Sequence, residues 1–207
     1  MYYLQVLSVK KDLNNININE TFSVEELEDF LGYYKVQGCN LILRPYQAQA
    51  LENGNEILKE HNFYVAIMPT GSGKSFLSLA KMLENRNAKM LYLAPNDIIL
   101  NQLEDYIIKY IYGTKGTLTK SKKQIIKEVF PNLKLCTYQS LLSENQDSII
   151  NNTYDLIFLD ELHRSGASEW YSKVKKLMSN QPKTTKVIGI TATPERTNDE
   201  NLNMANE

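Results

Sequence analysis

Residues 68–75 read MPTGSGKS, set between an apolar run, FYVAIM (63–68), and a helical run, KSFLSLAKML. This segment constrains the fold more than any other. Closely spaced glycines let backbone N–H groups turn inward and form a concave nest for an anion. The helix that follows adds free N–H groups and the positive end of its dipole. A strand, a glycine loop and a helix in that order is the setting a phosphate loop requires. Pro69, Thr70, Gly71, Ser72 and Gly73 would form the loop. Lys74 would reach the β- and γ-phosphates of a nucleotide, and Ser75 would offer its hydroxyl to Mg²⁺. The strict spacing G-x-x-x-x-G-K-[ST] requires glycine at position 68, where this chain has Met68.

A second segment, DLIFLDELHRSG (155–166), runs four apolar residues into Asp160 and Glu161. Two carboxylates at the end of a buried strand are unfavourable without a partner. A nucleotide site supplies one. Asp160 can hold Mg²⁺ through its water shell, and Glu161 can orient and deprotonate the water that attacks the γ-phosphate. Alone, an acidic pair after an apolar run also fits a strand ending in a polar turn.

The surrounding pattern alternates short apolar runs with helical ones. Strands are expected at 63–68, 89–94, 133–138, 155–160 and 186–191, with helices starting at Pro45, after Gly73 and over DIILNQLEDYIIKYI (97–111). Strands apolar on both faces that alternate with helices imply a doubly wound parallel sheet covered on both sides. Residues 1–40 read differently: a strand over YYLQVLSV (2–9), a polar connector, and a helix over FSVEELEDFLGYY with Ser23 and Glu26 spaced as a capping box. They predict a small N-terminal α/β appendage over 1–40, followed by the main domain over 41–207.

Composition narrows the partners. The chain has 207 residues, is 43% hydrophobic and carries a net charge of −1, so any polyanion site must be local. Cys39 and Cys136 are far apart and lack metal spacing, which reads as reduced thiols in a cytoplasmic protein. Only His61 and His163 are present, which argues against zinc. The opening residues do not read as a signal peptide, so none is expected, and no apolar run reaches membrane-spanning length. The lysine-rich run TKGTLTKSKKQIIKE (114–128) reads as a solvated face, with phosphate contact as the alternative. Trp170 is expected to pack a helix onto the sheet.

Taken in order, the motifs resemble the first RecA-like lobe of superfamily-2 helicases and translocases. The likeness is to the DExH group that includes restriction-enzyme motor subunits and UvrB-like helicases, and it runs from about Leu41 to Arg196. LRPYQ (43–47) resembles the adenine-reading motif. It implies that Gln47 hydrogen-bonds the adenine edge and that Arg44 packs near the base. MPTGSGKS and DELH (160–163) resemble motifs I and II, although the family more often has Ala or Gly at position 68. YLAPNDIILNQ and TYQSL (137–141) resemble backbone-contacting motifs, which implies that Pro95, Asn96, Thr137 and Gln139 face DNA or RNA. TATPER (191–196) resembles the coupling motif and implies that Thr191, Thr193 and His163 link nucleotide state to strand binding.

The resemblance implies ATP and Mg²⁺ as cofactors. It also implies a second RecA-like lobe that carries arginine fingers. Of the four arginines, Arg44, Arg86, Arg164 and Arg196, none sits in a segment resembling that motif. The 207 residues are therefore expected to be one lobe of a longer chain, monomeric and nearly inactive on their own. Three functions fit: the motor lobe of an ATP-dependent helicase or translocase, the motor part of a restriction or anti-phage system, or a nucleotide-dependent nucleic-acid binder without useful hydrolysis.

Overall fold

The strands form where apolar residues can serve two packed faces at once. In β4 (Phe63–Ile67), Tyr64 and Ala66 enter one buried cluster while Val65 enters the other. β5 (Met90–Ala94) and β7 (Leu156–Asp160) repeat this period of two: Tyr92 and Phe158 point one way, Leu91, Leu93, Ile157 and Leu159 the other. The computed structural model describes residues 3–5, 34–113, 120–143, 147–162 and 168–192. Within them, β1 (Tyr3–Gln5), β6 (Leu133–Thr137) and β8 (Lys186–Thr191) complete a parallel sheet of order β1-β4-β8-β7-β5-β6. A separate antiparallel pair joins β2 (Tyr34–Lys35) to β3 (Ile42–Leu43). The helix expected over 22–34 lies outside the described residues, save for Tyr34, which is in β2.

Helices cover both faces, as the two-sided strands require. On one face lie α1 (Pro45–Glu60), α2 (Lys74–Glu84), α3 (Asp97–Tyr106) and α4 (Lys122–Val129). On the other lie α5 (Asp147–Ile150) and α6 (Ser168–Ser179). Each start has a local cause. Pro45 opens α1, where its missing N–H loses no bond. Asn96 caps α3 by accepting from Ile99 N at 3.1 Å. Ser121 and Gln124 form a reciprocal capping box on α4.

Two features depart from the sequence reading. α3 does not end near 111 as an α-helix but continues as a π-helix over Ile107–Tyr112 and stops at Gly113. Around this junction the Tyr106 ring stacks on Phe76 of α2 at 5.3 Å and the Tyr110 ring meets Phe76 edge-on at 5.1 Å. Half of the lysine-rich run is α4, held by buried Ile125, Ile126 and Val129. Its Lys120 and Lys122 pair with Glu128 and Asp105, each at 2.5 Å, the behaviour of a solvated face. Trp170 of α6 stacks on buried Tyr138 at 5.4 Å, as expected.

Candidate nucleotide-binding site

A parallel sheet delivers the loops after β4, β8, β7, β5 and β6 to one edge, the carboxyl edge where α/β folds bind ligands. The glycine loop leaves β4. Gly71 (φ 79°) and Gly73 (φ 81°) take left-handed backbone that other residues resist. Ser72 N closes a turn on Pro69 O at 3.1 Å. Gly73 is the N-cap of α2, so the loop feeds directly into the helix N-terminus. Pro69, Thr70 and Gly71 are exposed, and Ser72, Lys74 and Ser75 are half-buried.

The loop is anchored from α1. Ser72 O accepts from the Tyr46 hydroxyl and from Gln47 Nε2, both at 2.7 Å. Gln47 Oε1 accepts from Arg44 N at 2.8 Å, and Arg44 Nη1 donates to the Tyr46 hydroxyl at 3.2 Å. Gln47 is buried, and a Cβ at Gly73 would strike its amide, so glycine there is also a packing requirement. An adenine read by Gln47 would have to exchange these partners for the base.

β7 brings the acids beside the loop, separated from β4 by β8 alone. Asp160 is buried. Its Oδ2 accepts from the Tyr92 hydroxyl at 2.6 Å, its Oδ1 from Glu161 N at 2.9 Å, and its carbonyl from the Tyr138 hydroxyl at 3.0 Å. Glu161 has φ 48°, the one positive φ at a non-glycine among the described residues. Backbone of that kind costs about 1–3 kcal/mol and gathers at functional sites. The Glu161 carboxylate reaches the loop, with Oε1 3.3 Å from Lys74 Nζ. The cation of one motif thus meets the second carboxylate of the other at a sheltered mouth, their side chains 12% and 22% exposed.

Mg²⁺ favours oxygen ligands and is commonly held by one or two carboxylates together with substrate phosphates. Ser75 and Asp160 supply that chemistry, and each Asp160 oxygen keeps lone-pair capacity beyond its one hydrogen bond. Bound there, Mg²⁺ would neutralise charge on the transferring phosphate.

Burial raises the Asp160 pKa above its ordinary value of 3.8, and the Glu161 charge adds to the rise; Tyr92, the Glu161 N–H and Lys74 oppose it. The folded state therefore holds this proton more tightly than the unfolded chain. The contribution of this carboxyl to stability falls as pH rises from 3.8 through the raised value, then stays level. An Asn side chain does not titrate. Asp160→Asn is expected to lose this pH dependence, so the melting temperature of the ligand-free wild type should fall relative to that of the variant as pH rises above 3.8. Melting curves across pH check this; a constant difference between the two proteins would contradict it. The same variant should weaken the Mg²⁺ dependence of nucleotide binding.

The other expected residues lie along the same edge. Thr191 ends β8, buried, and its carbonyl accepts from Met68 N at 2.9 Å. Pro95 and Asn96 follow β5. Thr137 ends β6 with Oγ1 3.0 Å from Ser140 Oγ, and Gln139 is exposed on the following 3₁₀ turn. These four sit on the far side of β7 from the glycine loop. His163 and Thr193 lie outside the described residues. The sequence reading missed Tyr46, Tyr92 and Tyr138. A tyrosine inside an apolar strand such as MLYLA was the available signal, since a buried phenol needs a hydrogen-bond partner.

A doubly wound parallel sheet with a glycine loop, its lysine and an acidic pair at one edge defines a RecA-like phosphate-loop lobe. The chain belongs to the family described as type III restriction enzyme, res subunit, whose sequence pattern matches residues 40–196. It is 28% identical over 176 residues to the type I restriction enzyme EcoAI endonuclease subunit of Escherichia coli, covering 80% of this chain and 21% of that protein. It is 27% identical to putative helicase 22 of a Sulfolobus islandicus filamentous virus (84% and 32% covered). Among solved structures it is similar to the type ISP restriction-modification enzyme LlaGI in complex with a DNA substrate mimic (TM-score 0.51, 28% identity, 76% and 19% covered). The SWI2/SNF2 ATPase core of Sulfolobus solfataricus shares the fold (TM-score 0.60, 18% identity, 82% and 36% covered). The chain thus spans about a fifth to a third of these two curated relatives.

Proposed function

We propose that this chain is the ATP-binding lobe of an ATP-dependent motor that moves on DNA. The observation that carries the reading is the meeting of Lys74 and Glu161 at 3.3 Å, beside buried Asp160. One site then holds a phosphate-binding cation, a metal carboxylate and a base for the attacking water. In this reading Ser75 and Asp160 hold Mg²⁺, Gln47 and Arg44 face adenine, and Thr191 lies where nucleotide state can reach the strand-binding edge. Pro95, Asn96, Thr137 and Gln139 line that edge. Family membership and relatives named as restriction subunits and helicases support a motor, and the LlaGI complex supports DNA as its track. A role within a restriction system is the narrower form, favoured by the family itself.

A second RecA-like lobe, supplying arginine fingers worth about 10³–10⁵-fold in rate in related NTPases, completes the proposal. Steady-state ATPase of residues 1–207 and of a chain carrying both lobes, each with and without single-stranded and duplex DNA or RNA, tests it. Expected is turnover near background for the lobe and DNA-stimulated turnover for the longer chain. Nucleotide binding without stimulated hydrolysis in the longer chain would favour a binding module instead. Robust stimulated turnover by the lobe alone would overturn the need for a second lobe.

A further inference from the structure

We infer that Tyr46 is a positioning residue that sets the direction of a phosphate-binding N–H in the glycine loop; this rests on the loop binding the phosphates of ATP. Two side chains from α1, the Tyr46 hydroxyl and the Gln47 amide, donate to the same atom, Ser72 O, each at 2.7 Å. A carbonyl oxygen has two lone pairs, so this pair of donors satisfies it fully and fixes the plane of the Ser72–Gly73 peptide. That peptide is trans, since no cis bond occurs among the described residues. In a planar trans peptide the carbonyl and the following N–H point in opposite directions. Holding Ser72 O toward α1 therefore turns Gly73 N–H away from α1, to the side where the anion must sit.

The two donors have different duties. Gln47 carries the amide that resembles an adenine reader. When that amide turns to a base, it surrenders Ser72 O. A phenol cannot make that exchange, so Tyr46 remains as the holder of the loop. Arg44 Nη1, 3.2 Å from the Tyr46 oxygen, uses the phenol as an acceptor and leaves its single proton for Ser72 O. Tyr46 thus keeps the nest in shape in the nucleotide-bound state, and Gln47 shares that load only when no base is present.

The test measures affinity of this chain for Mg·ATP and for Mg·tripolyphosphate, which has no base, by displacement of a fluorescent ATP analogue. Four proteins are compared in both: wild type, Tyr46→Phe, Tyr46→Ala and Lys74→Ala. Expected for Tyr46→Phe is a loss of about three- to tenfold for Mg·ATP, the range for one net hydrogen bond, with a smaller loss for Mg·tripolyphosphate, where Gln47 still holds Ser72 O, and the same pattern in Tyr46→Ala. For tripolyphosphate the Tyr46→Phe loss should grow in a Gln47→Ala background, where nothing else holds Ser72 O. Melting curves show that each variant is folded. Wild-type affinity in Tyr46→Phe, with loss only in Tyr46→Ala, would assign the effect to the ring and overturn the inference. So would strictly independent losses in the double variant. If the wild type binds neither ligand, the phosphate-loop reading itself fails. If it binds and only Lys74→Ala loses affinity, that reading stands and the role of Tyr46 falls.

Discussion

Replacing Glu161 by Gln should leave Mg·ATP bound and bring its hydrolysis close to a halt in a chain that carries both lobes. The amide keeps the size of the carboxylate and one of its acceptors, but it cannot take a proton from water. General-base catalysis of this kind contributes about 10²–10⁴-fold, and a loss of that order is expected in single-turnover hydrolysis. Binding should hold or tighten. In the ligand-free protein Glu161 Oε1 lies 3.3 Å from Lys74 Nζ, so an incoming γ-phosphate must draw the lysine away from a carboxylate and then sit beside that carboxylate. The Gln variant removes both penalties. Turnover at the wild-type rate would show that another group is the base.

Replacing Lys74 by Ala should weaken Mg·ATP binding by about 10- to 100-fold, the range for hydrogen bonds to charged groups. Nothing else in the loop MPTGSGKS carries a positive charge. The fold should survive, because the lysine head makes its contact at the mouth of the site and not in either buried cluster. The loss also reaches the acids. Lys74 lowers the Asp160 pKa, so its removal leaves burial and Glu161 to push that carboxyl further up. Calorimetry at two pH values reads both effects: weaker binding throughout, and a Mg²⁺ requirement that sets in at higher pH than in the wild type. Unchanged affinity would remove Lys74 from the phosphate site.

Where the chain's local chemistry decides, the sequence was readable. KVIGIT became a strand over Lys186–Thr191 and DLIFLD ended at Asp160, because β-branched and apolar runs bounded by polar turns have few other uses. The loop and the acidic pair were readable for the same reason, each being a short motif at a strand end. What was not readable depends on distant strands meeting. The Tyr92 hydroxyl reaches Asp160 only because β5 and β7 lie side by side in the sheet. The grip of Tyr46 and Gln47 on Ser72 O needs α1 docked against the loop. β1 pairs with β4 in parallel, a register that nothing within YYLQVLSV announces. The π-helical end of α3 likewise comes with contacts of Tyr106 and Tyr110 to Phe76 of a different helix.

Met68 shows how a rule about spelling differs from a rule about space. The strict pattern asks for glycine there, yet the side chain is fully buried in the cluster beneath α1 to α4, and its N–H is committed to Thr191 O. The position belongs to the floor under the loop rather than to the concave surface above it, so its occupant is chosen by volume. Shortening Met68 would hollow out the foundation on which the loop stands, while leaving every phosphate-facing group in place. A search for such lobes that insists on the first glycine discards chains like this one. A search that asks for a filled floor, two left-handed glycines and a lysine would keep them.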